Sequence, residues 1–343
     1  MPLFSVVVPA YNYGRFLPHC IESVLQQDCA DWELVLTDDQ STDDTAAVVE
    51  RYRDPRIRYW RNGTRLGMYP NFRRAIELSR GELIKPLPAD DYLLPGCLSA
   101  FARVFSERPS VVLASAGAEI CDWEGRVIDR RQVPGAGSQL DAHGVAAMMA
   151  EAGCFFGGNS TFAFRRAAYD AVRGYPEAVR YSGDFALAAL LARLGGYYSV
   201  PQILIGGRLH GVQSGVRDTR GTVHIEDRFA VYRLMYAPHS LLPDAEALHR
   251  KAQTRETAMY AALALKASLT PGRRDWARAV RDVLARESDV AATRALLARA
   301  PALLRHFVKA RQASAQRQRA ARRTSAPGMS TPAADPSVHG TGR

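Results

Sequence analysis

Three short polar clusters in the first hundred residues contain the side-chain types that bind nucleotides and divalent cations. Tyr11-Asn12, Asp38-Asp39 and Asp90-Asp91 each follow an apolar run. An aromatic ring offers its face to a base, and carboxylates accept hydrogen bonds from ring nitrogens and sugar hydroxyls. Mg²⁺ is commonly held by one or two carboxylates together with substrate phosphates. The three clusters therefore indicate a nucleotide site that includes a metal ion.

The segments that must position these clusters alternate between strand and helix patterns. Helical spacing of apolar residues is clear at Phe16–Gln27 and again at Asn71–Leu78. The expected strands are Phe4–Pro9, Trp32–Thr37, Ile57–Trp60 and Leu83–Leu87. Such alternation predicts an α/β fold, with a Rossmann-like, mostly parallel sheet flanked by helices on both faces. Parallel sheets bind ligands at the carboxyl ends of their strands, which is where the clusters stand.

The second half of the chain has a mixed pattern. Glu124-Gly125 predicts a hairpin turn, and Val111–Ala116 and Tyr197–Ile205 predict strands. Helices are expected at Asp141–Glu151, Arg166–Val172 and Asp184–Leu194. The chain turns helical after about residue 225, and its last part lacks large apolar residues. We therefore expect a domain over 1–225 with halves 1–110 and 111–225, a helical extension over 226–312 and a basic, disordered tail over 313–343.

The formal net charge of +10 belongs to the C-terminal part of the chain. Residues 1–270 carry no net charge and residues 271–343 carry the whole surplus, so the basicity does not favour nucleic-acid binding by the main domain. The five cysteines are scattered without a Cys-x-x-Cys pair, which argues against structural zinc and a disulfide framework. No apolar run is long enough to cross a membrane, and the N-terminus predicts a strand rather than a secretory signal. The sequence favours the cytoplasm.

The ordered series of motifs resembles glycosyltransferase family 2. The segments that carry the resemblance are Val7–Asn12, Ile21–Gln27, Trp32–Thr45, Gly81–Ile84 and Ala89–Asp91. The resemblance extends over roughly residues 3–215. It implies a GT-A fold and an inverting transfer of a sugar from a nucleotide diphosphate to a hydroxyl group. It also assigns nucleotide-sugar binding to residues 1–110 and acceptor contacts to residues 111–225.

The resemblance implies roles for the donor-side residues. Pro9, Tyr11 and Asn12 would line the pocket of a uracil or related base. Asp39 would accept a hydrogen bond from the base N–H, and Asp90 would face the ribose. Arg65 and Asn71, between the third and fourth strands, are further donor-side candidates.

Asp91 would ligate Mg²⁺ or Mn²⁺ bridging the two phosphates, again by resemblance. A divalent ion there neutralises the charge that builds up on the leaving diphosphate. His210, in Arg208–Ser214, would contact the metal or a phosphate. Asp184 opens a predicted helix and would be the base that deprotonates the acceptor hydroxyl. The segment Gly157–Thr161 resembles the acceptor-side loop of the family.

Each candidate also has a structural interpretation. Tyr11 alone fits an aromatic at the edge of the core, and Asp184 fits a residue that complements a helix dipole. Ser41 is a candidate N-cap for the helix after the second strand, with Asp43 and Asp44 in its first turn. A histidine such as His210 is more often a core or surface residue than a ligand. The joint occurrence of polar clusters after three strands favours the functional interpretation.

Three departures from the family pattern affect the expectation. Pro88 stands where many relatives carry a further Asp, so the metal would depend on Asp91 and His210. Gly183 stands where a Glu usually precedes the base. Gln-x-x-Arg-Trp and membrane spans are absent from the sequence, which argues against a processive polysaccharide synthase.

The resemblance therefore implies a hexosyl- or N-acetylhexosaminyltransferase in cell-surface polysaccharide synthesis. A UDP-sugar is the favoured donor, and a glycan or a lipid-linked molecule the favoured acceptor. A non-catalytic relative that binds sugar nucleotides or glycans stays open as an alternative. A nucleotidyltransferase is a second one, although Tyr11–Arg15 is a poor match to the Gly-rich phosphate loop that it would need.

The surplus positive charge lies beside apolar residues at helical spacing near the C-terminus. Leu296, Leu297, Leu303, Leu304, Phe307 and Val308 recur beside Arg294, Arg299, Arg305, Lys309 and Arg311. A basic amphipathic helix of this kind can lie on an anionic membrane. It can equally pack its apolar stripe on the main domain. Both interpretations stay open, and the first would place the protein peripherally on the inner face of the plasma membrane.

Overall fold

The centre of the protein is one sheet. The structure is a computed structural model that describes residues 1–210, 221–237, 242, 244–268, 270 and 272–287. In these residues the strands are β1 Phe4–Ala10, β2 Trp32–Asp38, β3 Ile57–Arg61, β4 Leu83–Pro86, β5 Tyr92–Leu93, β6 Val111–Cys121, β7 Val127–Arg131, β8 Gln139–Leu140, β9 Phe162–Arg165 and β10 Gly196–Arg208. Their order is β3-β2-β1-β4-β9-β6-β10-β5, with β7 beside β6 and β8 beside β10.

Helices cover both faces of this sheet, as the sequence predicts. The described helices are α1 Leu17–Leu25, α2 Thr45–Val49, α3 Met68–Leu78, α4 Cys97–Glu107, α5 Ala142–Ala152, α6 Arg166–Ala171, α7 Gly183–Ala192, α8 Val223–Met235, α9 Ala245–Ser268 and α10 Arg274–Glu287. The apolar residues of α1, α2 and α4 pack on one face, and those of α3, α5, α6 and α7 pack on the other. Successive residues of a strand point to opposite faces, so Val6 and Val8 join the first core and Val7 joins the second.

The N-terminal half of the sheet is parallel and confirms the expected Rossmann-like arrangement. β1 pairs in parallel with β2 and β4, and β2 pairs in parallel with β3. All seven residues of β2 are buried, because a strand covered on both faces has no solvent side. The carboxyl ends of these strands therefore lie at one edge of the sheet.

The second half of the sheet is mixed. β9 lies antiparallel between β4 and β6, and β10 runs parallel to β6. Glu124-Gly125 lies in the hairpin between β6 and β7, as expected. The pattern did not predict β5, β8 and β9, because runs of two to four residues are too short for a periodicity to be recognised.

The helical extension continues the main core. The expected boundary at residue 225 falls inside α8, whose Val231 and Tyr232 belong to the core beneath α5 and α7. α8, α9 and α10 also share a smaller apolar cluster that includes Phe229 and Val280. None of the described helices has the length and apolarity needed to cross a membrane. The expected tail over 313–343 and the basic segment 294–311 lie outside the described residues.

The expectation that Ser41 caps the second helix is wrong. α2 begins only at Thr45, after Asp44. The backbone N–H of Ser41 instead donates to Asp38 Oδ1 at 2.8 Å, and its hydroxyl accepts from the Asn12 N–H at 2.9 Å. Asp43 accepts from the Thr45 N–H and hydroxyl, immediately before the helix. The bond between Ser41 and Asn12 connects the loop after β2 to the loop after β1. The helix starts only after this loop, at Thr45.

We predict that Gly81→Ala destabilises the fold, because Gly81, just before β4, lies in close contact with the start of β1. A β-carbon at Gly81 would lie 2.5 Å from the Ser5 backbone nitrogen. The free energy of unfolding should fall by about 1–3 kcal/mol, as for other overpacked sites. Urea denaturation measures the change. Gly63→Ala is the matched control, because no atom lies within 4 Å of its added β-carbon; equal stability of the two variants would contradict the prediction.

Candidate active site

Asp39 organises the edge of the sheet at the end of β2. Its Oδ1 accepts from Asn62 Nδ2 at 3.0 Å and from the Leu66 N–H at 2.7 Å, and its Oδ2 accepts from the Gly67 N–H at 2.8 Å. The side chain is buried, with 3% of the residue surface exposed. Asp39 therefore holds the loop between β3 and α3 against the end of β2, in addition to any bond that it makes to a ligand.

Tyr11 and Arg65, two predicted donor-side residues, are brought together in this loop region. The Arg65 guanidinium lies over the Tyr11 ring, 4.1 Å from its centre. Arg65 is exposed and Tyr11 is partly exposed. Pro9 stands two residues before Tyr11 and pairs with Thr37 across β1 and β2. A planar cation on an aromatic ring thus stands beside Asp39 at the predicted base pocket.

The two predicted asparagines make bonds inside the protein. Asn12 has a φ of 57°, and its Oδ1 accepts from the Thr42 N–H at 2.7 Å. Asn71 is buried; its Nδ2 donates to the Thr37 carbonyl at 3.1 Å and its Oδ1 accepts from Asn62 at 2.9 Å. Asn62, which the sequence did not single out, therefore links Asn71 to Asp39.

Asp91 lies at the same edge, after β4, with its carboxylate held inside the protein. Its Oδ1 accepts from the Arg208 backbone N–H at 2.9 Å, and the Ser160 hydroxyl also hydrogen-bonds the carboxylate. Burial and the neighbouring Asp90 carboxylate raise the pKa of Asp91 to about 7, since both disfavour a second negative charge there. This carboxylate pair is a place where a cation would relieve electrostatic repulsion.

His210 contacts Asp90 and is surrounded by aromatic side chains. Its Nε2 is 3.1 Å from Asp90 Oδ2, and the residue is 0% exposed. The imidazole stacks on Phe16 with ring centres 4.9 Å apart and meets Trp123 edge-on at 5.4 Å. The structure thus brings His210 to Asp90, and the rest of the predicted segment, 211–214, lies outside the described residues.

The residues present fit a metal ion only as part of its ligand set. Over the described ranges, no group of three His, Cys, Asp or Glu side chains is arranged to hold an ion. Mg²⁺ and Mn²⁺ sites that also use substrate phosphates need only one or two carboxylates from the protein. Asp91, whose Oδ1 is held in place by the Arg208 N–H, can supply such a carboxylate.

Lys85 is a buried cation beneath the carboxylates that the sequence analysis missed. Its Nζ donates to the Pro86 carbonyl at 2.7 Å and to the Ser160 carbonyl at 2.5 Å. Burial lowers the pKa of Lys85 to about 8, while the charge of Asp91 opposes this shift. A lysine within an otherwise apolar strand was the signal in the sequence, because such a residue needs internal partners.

Asp184, the predicted base, stands in the first turn of α7 and is partly exposed. Its Oδ1 accepts from the Phe185 N–H at 2.9 Å, and the Tyr69 hydroxyl lies 3.4 Å from the same atom. Desolvation by the surrounding protein raises the pKa of Asp184 to about 6. Asp227 of α8 accepts from the N–H groups of Tyr181 and Ser182, and so holds the turn that leads into α7.

The structure gives a reason for Gly183. A β-carbon there would lie 2.7 Å from the Tyr69 ring, so no larger side chain fits in this conformation. The Tyr69 hydroxyl donates to the Tyr181 carbonyl at 2.9 Å. Tyr69 therefore fills the space where the family pattern places a glutamate.

The loop Gly157–Thr161 connects the two halves of the site. Ser160 hydrogen-bonds Asp91, while the position of a β-carbon on Gly158 lies 3.5 Å from Asp184 Oδ2. Gly158 and Ser160 are two residues apart, and two residues of extended chain span at most about 7 Å. Asp91 and Asp184 thus face the same short stretch of backbone, close enough for one substrate to touch both.

The comparisons with known proteins agree with this architecture. Residues 5–173 match the family model described as "Glycosyl transferase family 2". The chain is 36% identical over 110 residues to the GalNAc(5)-diNAcBac-PP-undecaprenol beta-1,3-glucosyltransferase of Campylobacter jejuni, which covers 31% of this chain and 36% of that protein. The chain spans only 30% to 36% of the length of three such curated relatives.

Solved structures share the fold. The S. aureus TarS 1–349 fragment in complex with UDP-GlcNAc superposes with a TM-score of 0.58 at 19% identity, over 74% of this chain and 72% of that chain. The mannosyltransferase PcManGT from Pyrobaculum calidifontis, in complex with GDP-Man and Mn²⁺, gives 0.56 at 18% identity, over 93% of this chain and 86% of that chain. The GT-A fold, including helices after the sheet, is thereby confirmed.

We predict that Asp39→Asn loosens the edge of the sheet. An asparagine offers one acceptor oxygen, so its NH₂ group would face an N–H donor that Asp39 now satisfies. The free energy of unfolding should fall by about 1–3 kcal/mol, the cost of leaving a buried donor without an acceptor. Urea denaturation measures it, with Asp31→Asn as the control because Asp31 is exposed. Unchanged stability of Asp39→Asn would show that the loop does not depend on this carboxylate.

Proposed function

Residues 5–173 of the chain belong to glycosyltransferase family 2, and from this premise we propose that the protein is an inverting glycosyltransferase. It moves a sugar from a nucleotide diphosphate, with a UDP-sugar as the favoured donor, to a hydroxyl of a glycan or lipid-linked acceptor. The observation that carries the proposal is the shared loop Gly157–Thr161, which contacts Asp91 with Ser160 and faces Asp184 with Gly158. A donor diphosphate at Asp91 would thus present its sugar to a base at Asp184.

Donor binding uses the ends of β1, β2 and β4. The Tyr11 ring with Arg65 above it offers a stacking surface for a base, and Asp39 offers a carboxylate beside it. Asp90, held by His210, stands beside Asp91 and would suit a ribose hydroxyl. The TarS and PcManGT structures contain a UDP-sugar and GDP-Man respectively, which supports a sugar nucleotide as the ligand.

Asp91 would hold Mg²⁺ or Mn²⁺ together with the diphosphate oxygens. Such an ion stabilises the charge on the departing diphosphate. The chain itself keeps the Asp91 carboxylate in place through the Arg208 N–H and Ser160. Lys85 fixes the Ser160 backbone from below, so the carboxylate and the loop are positioned together.

Asp184 would act as general base toward the acceptor hydroxyl. A base is most effective when its pKa lies near the working pH and it is deprotonated there. Desolvation raises the pKa of Asp184 to about 6, so the carboxylate is a stronger base than an exposed Asp and is still ionised at pH 7. Activity should therefore be lost as the pH falls through about 6, where the base becomes protonated.

The similarity of the chain to these relatives supports a role in polysaccharide synthesis. The Campylobacter relative is named for a lipid-linked undecaprenol substrate. A non-catalytic sugar-nucleotide-binding protein is the rival proposal, and the next experiment separates it from an enzyme. No described feature favours a nucleotidyltransferase.

We predict that Asp184→Asn abolishes turnover and leaves donor binding intact, because Asp184 faces the acceptor side. UDP release from UDP-sugars with Mn²⁺ should fall by roughly 100-fold or more, the usual share of a general base, while calorimetry gives an unchanged affinity for UDP. Asp91→Asn should instead weaken Mn²⁺-dependent UDP binding. Asp170→Asn, on the exposed side of α6, is the control.

A wild-type protein that binds UDP but releases none from UDP-glucose, UDP-galactose, UDP-GlcNAc or UDP-GalNAc, with or without acceptor glycosides, would support the non-catalytic rival. Wild-type activity with an acid limb near pH 6 that survives in Asp184→Asn would reject Asp184 as the base.

We further propose a peripheral contact with anionic membrane through the basic segment 294–311, on sequence grounds alone. Replacing Arg294, Arg299, Arg305, Lys309 and Arg311 by Gln should abolish co-sedimentation with phosphatidylserine vesicles, since each nearby cation contributes about 1 kcal/mol. Phosphatidylcholine vesicles should retain neither chain. Equal co-sedimentation of wild type and variant with anionic vesicles would contradict this proposal.

A further inference from the structure

The two oxygens of Asp184 have different surroundings. Oδ1 accepts from the Phe185 N–H and has the Tyr69 hydroxyl 3.4 Å away. Oδ2 faces Gly158, and a β-carbon on that glycine would lie 3.5 Å from it. Oδ1 is thus the anchored oxygen and Oδ2 the one turned toward the loop.

Tyr69 is held firmly enough to act as an anchor. Its hydroxyl proton is directed mainly to the Tyr181 carbonyl at 2.9 Å and is shared with Asp184 Oδ1. Its ring packs on Gly183, where an added β-carbon would come within 2.7 Å, and lies 5.2 Å from the Tyr175 ring. The ring therefore cannot swing away from the start of α7 without losing these contacts.

The backbone conformation at position 158 does not require a glycine. Its φ of −92° and ψ of −177° are open to any residue. Its neighbour Gly157 is the opposite case, since it has a φ of +80° and an added β-carbon would lie 2.3 Å from Thr161 Oγ1. Gly158 instead leaves space in front of Asp184 Oδ2.

We propose that Oδ2 is the atom that receives the acceptor proton, that Gly158 admits acceptors whose hydroxyl is carried on a sugar ring, and that Tyr69 is a positioning residue for Oδ1. This inference rests on the proposed glycosyl transfer. The acceptor proton passes to Oδ2 as the hydroxyl oxygen bonds to the anomeric carbon. The bond from that carbon to the diphosphate oxygen breaks, and its electron pair leaves with the diphosphate.

A ring hydroxyl requires the space at Gly158, because the ring carbons beside the oxygen must pass the loop. A hydrogen bond to Oδ2 brings the hydroxyl oxygen to about 2.7 Å. A methyl group on residue 158 would occupy the approach at 3.5 Å. Water has no such substituents and still reaches Oδ2.

Other charged or titratable groups surround Asp184 and must be kept constant in a test of its pH dependence. Arg228 of α8 lowers the pKa of Asp184, and Tyr175 and Cys154 lie within electrostatic reach of it. Arg228 itself is paired with the buried Glu256 at 3.1 Å. Tyr69 combines a hydrogen bond to the Asp184 side chain with contact to Gly183.

The test compares Gly158→Ala with wild type in the full-length chain. The donor is whichever of UDP-glucose, UDP-galactose, UDP-GlcNAc and UDP-GalNAc the wild type turns over fastest, and the acceptors are water and p-nitrophenyl pyranosides. We expect unchanged melting temperature and UDP affinity, with the ratio of pyranoside transfer to donor hydrolysis lowered by roughly 10- to 100-fold, as for a misplaced reactant. Gly157→Ala should instead lower the melting temperature, because its φ is positive.

Tyr69→Phe tests the anchor without removing the ring. Loss of a hydrogen bond to the carboxylate favours its protonated form, so the acid limb of kcat should move to higher pH while the KM of the donor stays the same. Tyr236→Phe, whose hydroxyl donates to the Ala146 carbonyl, is the matched control and should leave the limb in place.

The outcomes separate this inference from the proposed function. A wild type that releases UDP from none of the donors overturns both. If the wild type is active, two results for Gly158→Ala overturn the inference alone. One is transfer to pyranosides at the wild-type rate, and the other is an equal loss of donor hydrolysis and transfer. If the acid limb of kcat lies at the same pH in Tyr69→Phe and Tyr236→Phe, Tyr69 does not position Oδ1.

Discussion

The burial of two adjacent carboxylates, Asp90 and Asp91, is the constraint on which the rest of the site depends. Neighbouring negative charges with little water around them repel each other and lose hydration. The protein offsets this with His210 beside Asp90 and with the Arg208 N–H, the Ser160 hydroxyl and Lys85 beside Asp91. These partners come from β4, from the loop before β9, and from the end of β10 with the residues that follow it, so the fold must bring three distant segments to one edge.

The antiparallel strand β9 follows from this requirement. Insertion of β9 between β4 and β6 places Ser160 directly above the end of β4, where Lys85 holds its carbonyl. The same loop passes in front of Asp184. Because β9 runs antiparallel to β4, the loop that precedes β9 lies at the edge where β4 ends.

The parallel half was predictable because its strands are long apolar runs that end in polar residues. β1, β2 and the helices around them follow from that pattern, and so do the positions of Tyr11, Asp39 and Asp91. The partners of Tyr69 and Lys85 were not predictable, since a tyrosine in a helix and a lysine in a strand have many possible partners. Their roles depend on contacts with Tyr181 and Ser160, more than seventy residues away along the chain.

Asp227 has a consequence for the order in which the protein is made. It fixes the turn before α7 by accepting from Tyr181 and Ser182, yet it belongs to α8 and follows Asp184 in the chain. During synthesis the N-terminal part of a chain can fold first, so the proposed nucleotide pocket at β1 and β2 can form early. The turn before Asp184 gains its support only after α8 has left the ribosome. Under the proposed function, a nascent chain would be able to bind a donor before the turn that carries the proposed base Asp184 is in place. Catalysis would then depend on completion of the helical extension.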